Sequence, residues 1–531
     1  MYRGTSMCNQ CGDRYDLHLT NENGRRGFLK LGMAGLLALW GARNSWGREI
    51  DFERKGNPAY GLNKGRSLLI RGGMLVSMDI DVGDAESTDI LIVDGKIRDI
   101  GKGLRRAGIP VIDAQGKIVM PGLVDTHRHI WNSILRGVGG NETLNDYIDN
   151  IDFKFAPAYR PEDMYVSAKF GALAALDSGV TSLMAWMDNG SNSIRHTTLS
   201  LQGLVESGIR GVFAYSYPYN RGAQWFEDPD LTYPGHIAEI RKHLDRLDNP
   251  FITLALGSAG PKYTSPEFTR REWEAARAAN ARITIHIGHA DSGAERMLRD
   301  LETRFPGLLG PDVTYVHGNR FDDEELELIR KTGGTVSVSM STETQMAMGT
   351  PLISRLLDKG MRPSFSVDSE VAVSSSLFEQ MRQAFGFVRH EQGERIYESS
   401  AMAGTPNTGS GLLRDGAYVS ARDILEFATL EGARANGMLE TTGSLTPGKH
   451  ADLIIVNPNT INMMPLNNII TALVTSTETS NVETVIVGGE VRKFKGRLLV
   501  DHRALFDEVR ESRDHVFKQA GLRLDLFGTG Y

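Results

Sequence analysis

Hydrophobic and polar positions follow one pattern near both ends of the main body of this 531-residue chain. Short apolar runs alternate there with polar breaks and glycine turns, which is typical of β-strands. The predicted strands are residues 67–70, 74–78, 89–93, 96–100, 111–113, 451–456, 482–487 and 490–494. Predicted turns separate several of them, at Arg71-Gly72-Gly73, Asp94-Gly95 and Gly488-Gly489. Because the two groups flank a long middle, they predict one small β-sandwich domain built from residues 66–121 and 441–500.

The middle of the chain, residues 122–440, follows a different pattern, in which apolar strands alternate with helical stretches. The predicted strands are the run 118–124 before His127, then 180–186, 211–215, 252–256, 283–287, 313–317, 335–339 and 362–367. Helices are predicted between them, for example at 161–178, 267–280, 323–332 and 351–359. Eight strand–helix units predict an α/β fold, a (β/α)8 TIM barrel. The tail, residues 501–531, predicts a surface helix over 503–520.

Composition and charge narrow the classes of partner. The chain is 40% hydrophobic and 24% charged, as is usual for a globular protein, and its net charge is -7. A negative charge argues against a nucleic-acid or anionic-membrane partner. The two cysteines, Cys8 and Cys11, both lie near the N-terminus, so no disulfide is expected in the main body. Their Cys-x-x-Cys has no second pair, which argues against a zinc ribbon and leaves a redox role open.

An export signal is predicted in the N-terminal extension, residues 1–45. Arg25 and Arg26 precede Gly-Phe-Leu-Lys and an apolar run over 31–42, an order similar to a twin-arginine signal. The apolar run is too short to span a membrane comfortably. We therefore expect export machinery as a partner and a periplasmic or exported protein. The alternative is a basic amphipathic helix on a cytoplasmic protein.

Two histidines, His127 and His129, follow the first predicted barrel strand. On a strand, residues two apart point to the same face. Two imidazoles placed in this way can bind a divalent metal ion. Among 13 histidines such a pair also arises by chance, so the other ligands decide the question.

Three further strand ends carry side chains that bind metals, namely His286, His317 and Asp368. Each alone has a structural explanation, either a histidine with satisfied hydrogen bonds or a helix N-cap. In a (β/α)8 barrel, however, functional residues gather at the C-terminal ends of the strands. Their joint occurrence at the fifth, sixth and eighth strand ends therefore predicts a metal centre.

Several motifs resemble the amidohydrolase superfamily over about residues 66–500. They include Met-Pro-Gly-Leu-Val-Asp-Thr-His-Arg-His at 120–129 and Gly-Ser-Leu-Thr-Pro-Gly-Lys-His-Ala-Asp-Leu-Ile at 443–454. The likeness is to the mononuclear branch, which includes triazine hydrolases and the cytosine, guanine and adenosine deaminases of that fold. The resemblance implies the barrel, the sandwich and hydrolysis by a metal-activated water.

The resemblance also implies the ligand set. It assigns His127, His129, His286 and Asp368 to one divalent metal ion, with Zn²⁺ expected and Fe²⁺ or Mn²⁺ as alternatives. No lysine stands at the end of the fourth strand, where the binuclear branch carries its bridging residue. Such a ligand set lowers the pKa of a bound water toward ~7. Asp368 would then accept the water's proton, and His317 would stabilise the developing anion.

One departure from the family concerns the proton path. The deaminases carry a glutamate three residues after the fifth-strand histidine, whereas this chain has His289 there. Glu343, after the seventh strand, is the rival carboxylate, although it could equally be an exposed loop acid or a helix cap. We favour His289 as the group that returns the proton to the leaving group.

The substrate is less well defined by the sequence. Trp131 and Trp186 could wall a pocket for a flat ring, although each could equally be a packing residue. Arg128, between two ligands, should face away from the metal and have a structural role. The predicted function is a metal-dependent hydrolase of a carbon–nitrogen bond, other than a peptide bond, in a small cyclic or heteroaromatic compound. One alternative is an amide, ring-opening or carbon–halogen hydrolase, and another is a non-catalytic binding protein on the same fold. A structural zinc protein is a third alternative, but structural zinc sites usually contain cysteine ligands, which this site lacks. The sequence is also compatible with assembly into a homo-oligomer.

Overall fold

The computed structural model describes residues 62–218, 233–289, 296–402 and 418–528, and for Lys64 and residues 400–402 it describes the backbone alone. The predictions for Cys8, Cys11 and the Arg25-Arg26 pair lie outside these residues. Within them, no helix combines the length and the apolar character that a membrane crossing needs.

The strands fall into two sheets. In chain order they are β1 Leu68–Leu75, β2 Ala85–Val93, β3 Lys96–Gly101, β4 Val111–Asp113, β5 Ile118–Pro121, β6 Leu123–Arg128, β7 Val180–Met187, β8 Arg210–Ser216, β9 Ile252–Ser258, β10 Arg282–Ile287, β11 Val313–His317, β12 Thr335–Val338, β13 Ser364–Phe365, β14 Leu453–Val456, β15 Val482–Val487, β16 Glu490–Phe494 and β17 Arg497–Leu498.

Helices surround the barrel strands, and a helix is also the last element of the chain. The α-helices are Leu144–Tyr147, Pro161–Asp177, Ile194–Ser207, Ile237–Leu247, Gly260–Tyr263, Pro266–Ala278, Met297–Arg304, Asp323–Thr332, Met340–Gln345, Ile353–Asp358, Leu377–Met402, Ala421–Phe427, Leu430–Ala435, Ile469–Thr475 and His502–Gln519. A π-helical segment, Ile148–Phe155, follows the first of them.

The barrel is the eight-stranded sheet, with neighbours in the order β6 to β13. Adjacent strands pair in parallel, as the βα alternation requires. The first and last strands meet at their C-terminal ends, where Asp368 N donates to His127 O at 3.0 Å and His129 N donates to Asp368 O at 2.8 Å. The predicted (β/α)8 barrel is confirmed, and its closing seam passes through three of the predicted ligands.

The second sheet joins strands from both flanks of the barrel. Its order is β17-β16-β15-β14-β5-β1-β2-β3, with β4 paired to β1. The two flanks meet where β5 runs antiparallel to β14, with Met120 opposite Ile454. Ile70, Ile92 and Leu453 belong to a separate apolar core beneath this sheet. This sheet is the predicted small β domain.

Two strand predictions near this sheet were wrong. The predicted turn at Arg71-Gly72-Gly73 is instead a bulged part of β1, with register shifts on both sides of Gly73. The apolar run 118–124 was counted whole among the barrel strands, but it divides at Gly122 into β5 of one sheet and β6 of the other, at the position predicted as the boundary between the two domains. A Cβ atom at Gly122 would lie 2.1 Å from the Thr181 side chain, so the crossing between sheets requires glycine.

Candidate metal centre

Imidazole nitrogens converge at the C-terminal ends of the barrel strands. His127 Nε2 lies 3.1 Å from His129 Nε2 and 2.9 Å from His286 Nε2. One ligand atom each from His127, His286, His317 and Asp368 lies within 4.8 Å of the others. The sequence-predicted ligands are therefore brought together, with His317 beside them.

Asp368 divides its two carboxylate oxygens between the histidines. Oδ1 lies 3.3 Å from His127 Nε2 and 3.4 Å from His129 Nε2, whereas Oδ2 lies 3.7 Å from His317 Nε2. One oxygen thus faces the converging nitrogens and the other faces His317. This geometry separates a binding role for Oδ1 from a proton-accepting role for Oδ2.

The backbone at two of these strand ends adopts the left-handed conformation. His317 has a φ of 75° and Asp368 a φ of 68°. Residues other than glycine occupy this region rarely, and functional sites hold a large share of the examples. The surrounding barrel therefore imposes a turn on the chain that directs both side chains into the cluster.

Burial keeps the pKa values of two histidines low. Burial, with a further contribution from His129, lowers the pKa of His127 to about 4. Burial and the neighbouring His127 lower the pKa of His286 well below its ordinary value. Burial opposes ionisation of Asp368, but the hydrogen bond with His127 and the charge of His317 outweigh it and lower its pKa. Neutral imidazoles and an ionised carboxylate are the forms that bind a metal ion.

Arg128, between the two histidines, points away from the cluster as predicted. Its guanidinium is fully buried and donates to Asp125 Oδ2 at 2.7 Å, Glu370 Oε1 at 2.8 Å and Ser375 O at 2.9 Å. Two carboxylates and a carbonyl thus satisfy the buried cation. Arg128 therefore has a structural role, because its hydrogen bonds hold the ends of the first and eighth strands together.

Asp188, at the end of β7, contacts the outer nitrogen of a ligand and was missed by the sequence analysis. Its Oδ2 lies 3.4 Å from His129 Nδ1. Burial lowers the pKa of His129, but Asp188 outweighs this and raises it. A carboxylate behind a ligating histidine orients its ring. Its place after a predicted barrel strand was the available signal, although Asp188-Asn189-Gly190 also predicts a plain turn.

A cavity that is partly open to solvent lies beside the cluster. Its walls include Tyr147, Trp186, Tyr217, Tyr263, Met346 and Met348. The Trp186 ring centroid lies 4.2 Å from that of His286. Trp131, by contrast, is fully buried against Tyr159 and does not line the cavity, because its strand end turns inward into a 3-10 helix. Of the two tryptophans, only Trp186 therefore lines the cavity, although it is as fully buried as Trp131.

His289 lines the cavity, as the proton-path hypothesis requires. Its Nε2 lies 2.9 Å from Lys262 Nζ. Since an ammonium can only donate, Nε2 is the acceptor and Nδ1 carries the proton. Burial and the Lys262 charge lower the pKa of His289 well below its ordinary value. Lys262 belongs to the short helix Gly260–Tyr263, which follows β9.

Glu343 lies behind His317 and not on the cavity wall. It is fully buried in the helix Met340–Gln345, so it is neither an exposed loop acid nor a carboxylate facing substrate. Its Oε1 lies 3.2 Å from His317 Nδ1, and its Oε2 accepts from Asn319 Nδ2 at 2.8 Å. Glu343 is thus placed to orient His317 and not to reach a leaving group.

The donor set fits one divalent ion. His127 Nε2 lies close to the Nε2 atoms of both His129 and His286, and Asp368 Oδ1 lies 3.3 Å and 3.4 Å from the first two of these nitrogens, a set of donors that suits a divalent metal ion. At the end of β9, Ser258 occupies the place of a bridging lysine and donates to the buried Glu272. The described residues therefore offer no second bridged site at this strand end.

Comparisons with known proteins place these features among relatives. The model of the amidohydrolase family matches residues 118–492. A 5'-deoxyadenosine deaminase from Methanosarcina mazei is 26% identical over 465 residues, covering 85% of this chain and 98% of the relative. A 5-methylthioadenosine/S-adenosylhomocysteine deaminase from Thermococcus onnurineus is 28% identical over 441 residues, covering 80% and 93%.

Solved structures show the same fold. An adenosine deaminase from Xanthomonas campestris with bound zinc has a TM-score of 0.70 at 20% identity, covering 85% of this chain and 98% of that one. An atrazine chlorohydrolase from Arthrobacter aurescens, complexed with zinc, has a TM-score of 0.69 at 21% identity, covering 84% and 100%.

Proposed function

This chain belongs to the amidohydrolase family, and from that premise we propose that it is a metal-dependent hydrolase that releases an amine or ammonia from a small heteroaromatic compound. The observation that carries the proposal is the convergence of three imidazole nitrogens and one carboxylate oxygen beside a cavity walled by aromatic rings. Relatives over most of the chain are deaminases of adenine nucleosides, which are flat heteroaromatic amines.

The proposed ligands of the ion are His127, His129, His286 and Asp368. When bound, a divalent ion supplies the activation of water that lets hydrolysis proceed near neutral pH. Zinc is the proposed ion, because imidazole and carboxylate donors suit it and two structures of the same fold contain it. Elemental analysis of the purified protein would distinguish zinc from iron and manganese.

Asp368 and His317 have different proposed roles, namely proton transfer and stabilisation of negative charge. Asp368 Oδ2, which points toward His317, accepts a proton from the attacking water. His317 presents Nε2 on the same side, where it can donate to the negative charge that develops on the substrate. Glu343 accepts from Nδ1 and stabilises positive charge on the ring, so His317 keeps this orientation.

His289 takes the place of the glutamate that serves the leaving group in related deaminases. Its Nδ1–H can donate to the departing nitrogen, and Lys262 can donate to Nε2 at the same time. A proton thereby passes from the ammonium through the imidazole to the leaving group, and before the next turnover Asp368 releases its proton to solvent and Lys262 regains one from it. This relay needs no ionised histidine at the start of the step, in keeping with the lowered pKa of His289.

The test is a release assay on protein stripped of metal and then reloaded with zinc. Ammonia release would be measured across adenosine, 5'-deoxyadenosine and amino-triazines, together with chloride release from chlorotriazines and ring opening or acid release from cyclic amides. Zinc-dependent ammonia or amine release, absent from His127→Ala, is the expected result. Zinc-dependent release of chloride or acid alone would favour the carbon–halogen or amide alternatives, and turnover that survives chelation would overturn the metal-dependent mechanism.

We also propose export by a twin-arginine route, which the order of residues around Arg25 and Arg26 supports. Replacing both with lysine should leave the protein in the cytoplasmic fraction, because the receptor recognises the guanidinium pair. The matched control replaces Arg105 and Arg106, an arginine pair elsewhere in the chain, with lysine. Unchanged periplasmic protein in the first variant would contradict the proposal. Size-exclusion chromatography of the same preparation would show whether the protein is a homo-oligomer.

A further inference from the structure

Asp152 is a buried carboxyl group on the cavity wall. It lies in the π-helical segment Ile148–Phe155, and only 4% of the surface of Asp152 is exposed. Its side chain makes no hydrogen bond or ion pair with any of the residues that the structure describes. A buried carboxyl group normally has such a partner, so one that lacks it at the wall of a cavity marks a place where a ligand can supply the partner.

The charge around Asp152 indicates the sign of that partner. Asp188 lines the same cavity, and Asp368 lies at its base. Neither lysine nor arginine occurs among the described residues that line the cavity. Asp368 and Asp188 each have a histidine beside them, whereas Asp152 has none. Burial and the Asp188 charge raise the pKa of Asp152 well above its ordinary value, as expected for a carboxyl group without a counter-charge.

The aromatic walls favour the same kind of ligand. The ring centroids of Trp186 and Tyr217 are 6.4 Å apart, and those of Tyr217 and Tyr263 are 5.7 Å apart. Tyr147, on the same side as Asp152, also lines the cavity. Aromatic faces attract organic cations and also pack on flat rings. A positively charged aromatic molecule would therefore satisfy both the rings and the carboxyl group.

We infer that the substrate is an aromatic or heteroaromatic compound with a positively charged amine, and that Asp152 is the residue that binds the charge. The bond to be hydrolysed lies at the histidine cluster, and the cation lies beside Asp152. This inference rests on the proposed function, because it takes the cavity beside the cluster as the substrate site.

The test compares two probes of similar shape on the zinc-loaded protein by isothermal titration calorimetry. Benzyltrimethylammonium carries a permanent positive charge and cannot coordinate zinc, whereas benzyl alcohol is neutral. The wild-type protein should bind the cation at least about ten-fold more tightly, the scale of a desolvated cation–aromatic contact. Asp152→Asn should lose this preference and leave the affinity for the alcohol unchanged. Asp152→Glu, which keeps the charge, should retain part of it.

Glu142→Gln is the matched control, since Glu142 is a buried carboxyl group nearby that does not line the cavity. It should keep the preference, and full zinc content in every variant shows that the barrel is intact. Equal affinity of wild-type protein for both probes would overturn the inference, even if Asp152→Asn did not fold. So would a preference that persists in Asp152→Asn. Ammonia release from neutral heterocycles without any preference for cations would leave the hydrolase proposal standing and remove this one.

Discussion

Replacing Glu343 with glutamine tests the division of labour between His317 and its buried partner. The substitution keeps the shape of the side chain and one carbonyl oxygen. It removes the negative charge that lies 3.2 Å from His317 Nδ1. Asn319, whose Oδ1 has no hydrogen-bond partner among the described residues, can rotate its amide to accept from the new side chain, so folding should survive.

The magnitude follows from the distance and the burial. Both side chains are at most 2% exposed, so water screens the pair poorly. Two unit charges about 4 Å apart interact by about 4 kcal/mol at an effective dielectric constant of about 20. The retained hydrogen bond offsets part of this loss. We therefore expect kcat to fall about 10²-fold, equivalent to ~2.7 kcal/mol, with KM little changed.

The assay is steady-state kinetics on whichever substrate the release screen identifies, together with the zinc content of each preparation. Glu325→Gln is the control, because Glu325 is equally buried but lies in the outer helix Asp323–Thr332. It should leave kcat unaltered. If Glu343→Gln keeps wild-type kcat at full zinc content, Glu343 does not act through His317 and the reasoning fails.

Three further outcomes are expected. His286→Ala should purify with little metal by elemental analysis, and full occupancy would remove His286 from the ligand set. His289→Ala should keep its zinc but lose ~10²-fold in kcat, with a smaller loss in Lys262→Met; normal turnover in the first variant would exclude the relay. Burial raises the pKa of Glu272 from its ordinary value of 4.5 to about 7. Its contribution to stability is therefore complete below about pH 4.5 and is lost as the pH rises through about 7, on the order of 3 kcal/mol in total. Thermal denaturation should show a steeper decline between about pH 4.5 and about pH 7 for wild type than for Glu272→Gln, and parallel curves would contradict the assignment.

The barrel could be predicted from the sequence because its strands are apolar runs bounded by turns. Strand 313–317 and helix 323–332 were predicted with the bounds that the structure has. The errors occurred where pairing between strands decides the outcome. Gly72-Gly73 is typical of a turn, but β1 continues through it because β2 and β5 pair on either side. In the run 118–124 only the Pro-Gly break at 121–122 marks the point where the chain passes from one sheet to the other.

The cluster was predictable for a related reason, since strand order brings strand ends together whatever the loops do. His127, His129, His286 and Asp368 needed only the barrel topology to meet. The cavity walls depend on the course of the loops, which hydrophobic periodicity does not describe. Asp152 lies in a polar stretch after the first strand, and its approach to Asp188 follows from the tertiary packing of Ile148–Phe155.

The left-handed backbone at His317 and Asp368 limits how this site could change during evolution or redesign. Aspartate, asparagine and histidine enter that conformation far more readily than bulky or β-branched residues do. The backbone conformation thus restricts the residue types at the sixth and eighth strand ends, independently of any requirement for metal binding. A swap of Asp368 for glutamate, often treated as a neutral exchange of ligands, would also have to overcome an unfavourable main-chain conformation. A change of metal preference is therefore easier to obtain by substituting His127, His129 or His286, because the main chain at these positions does not have a positive φ.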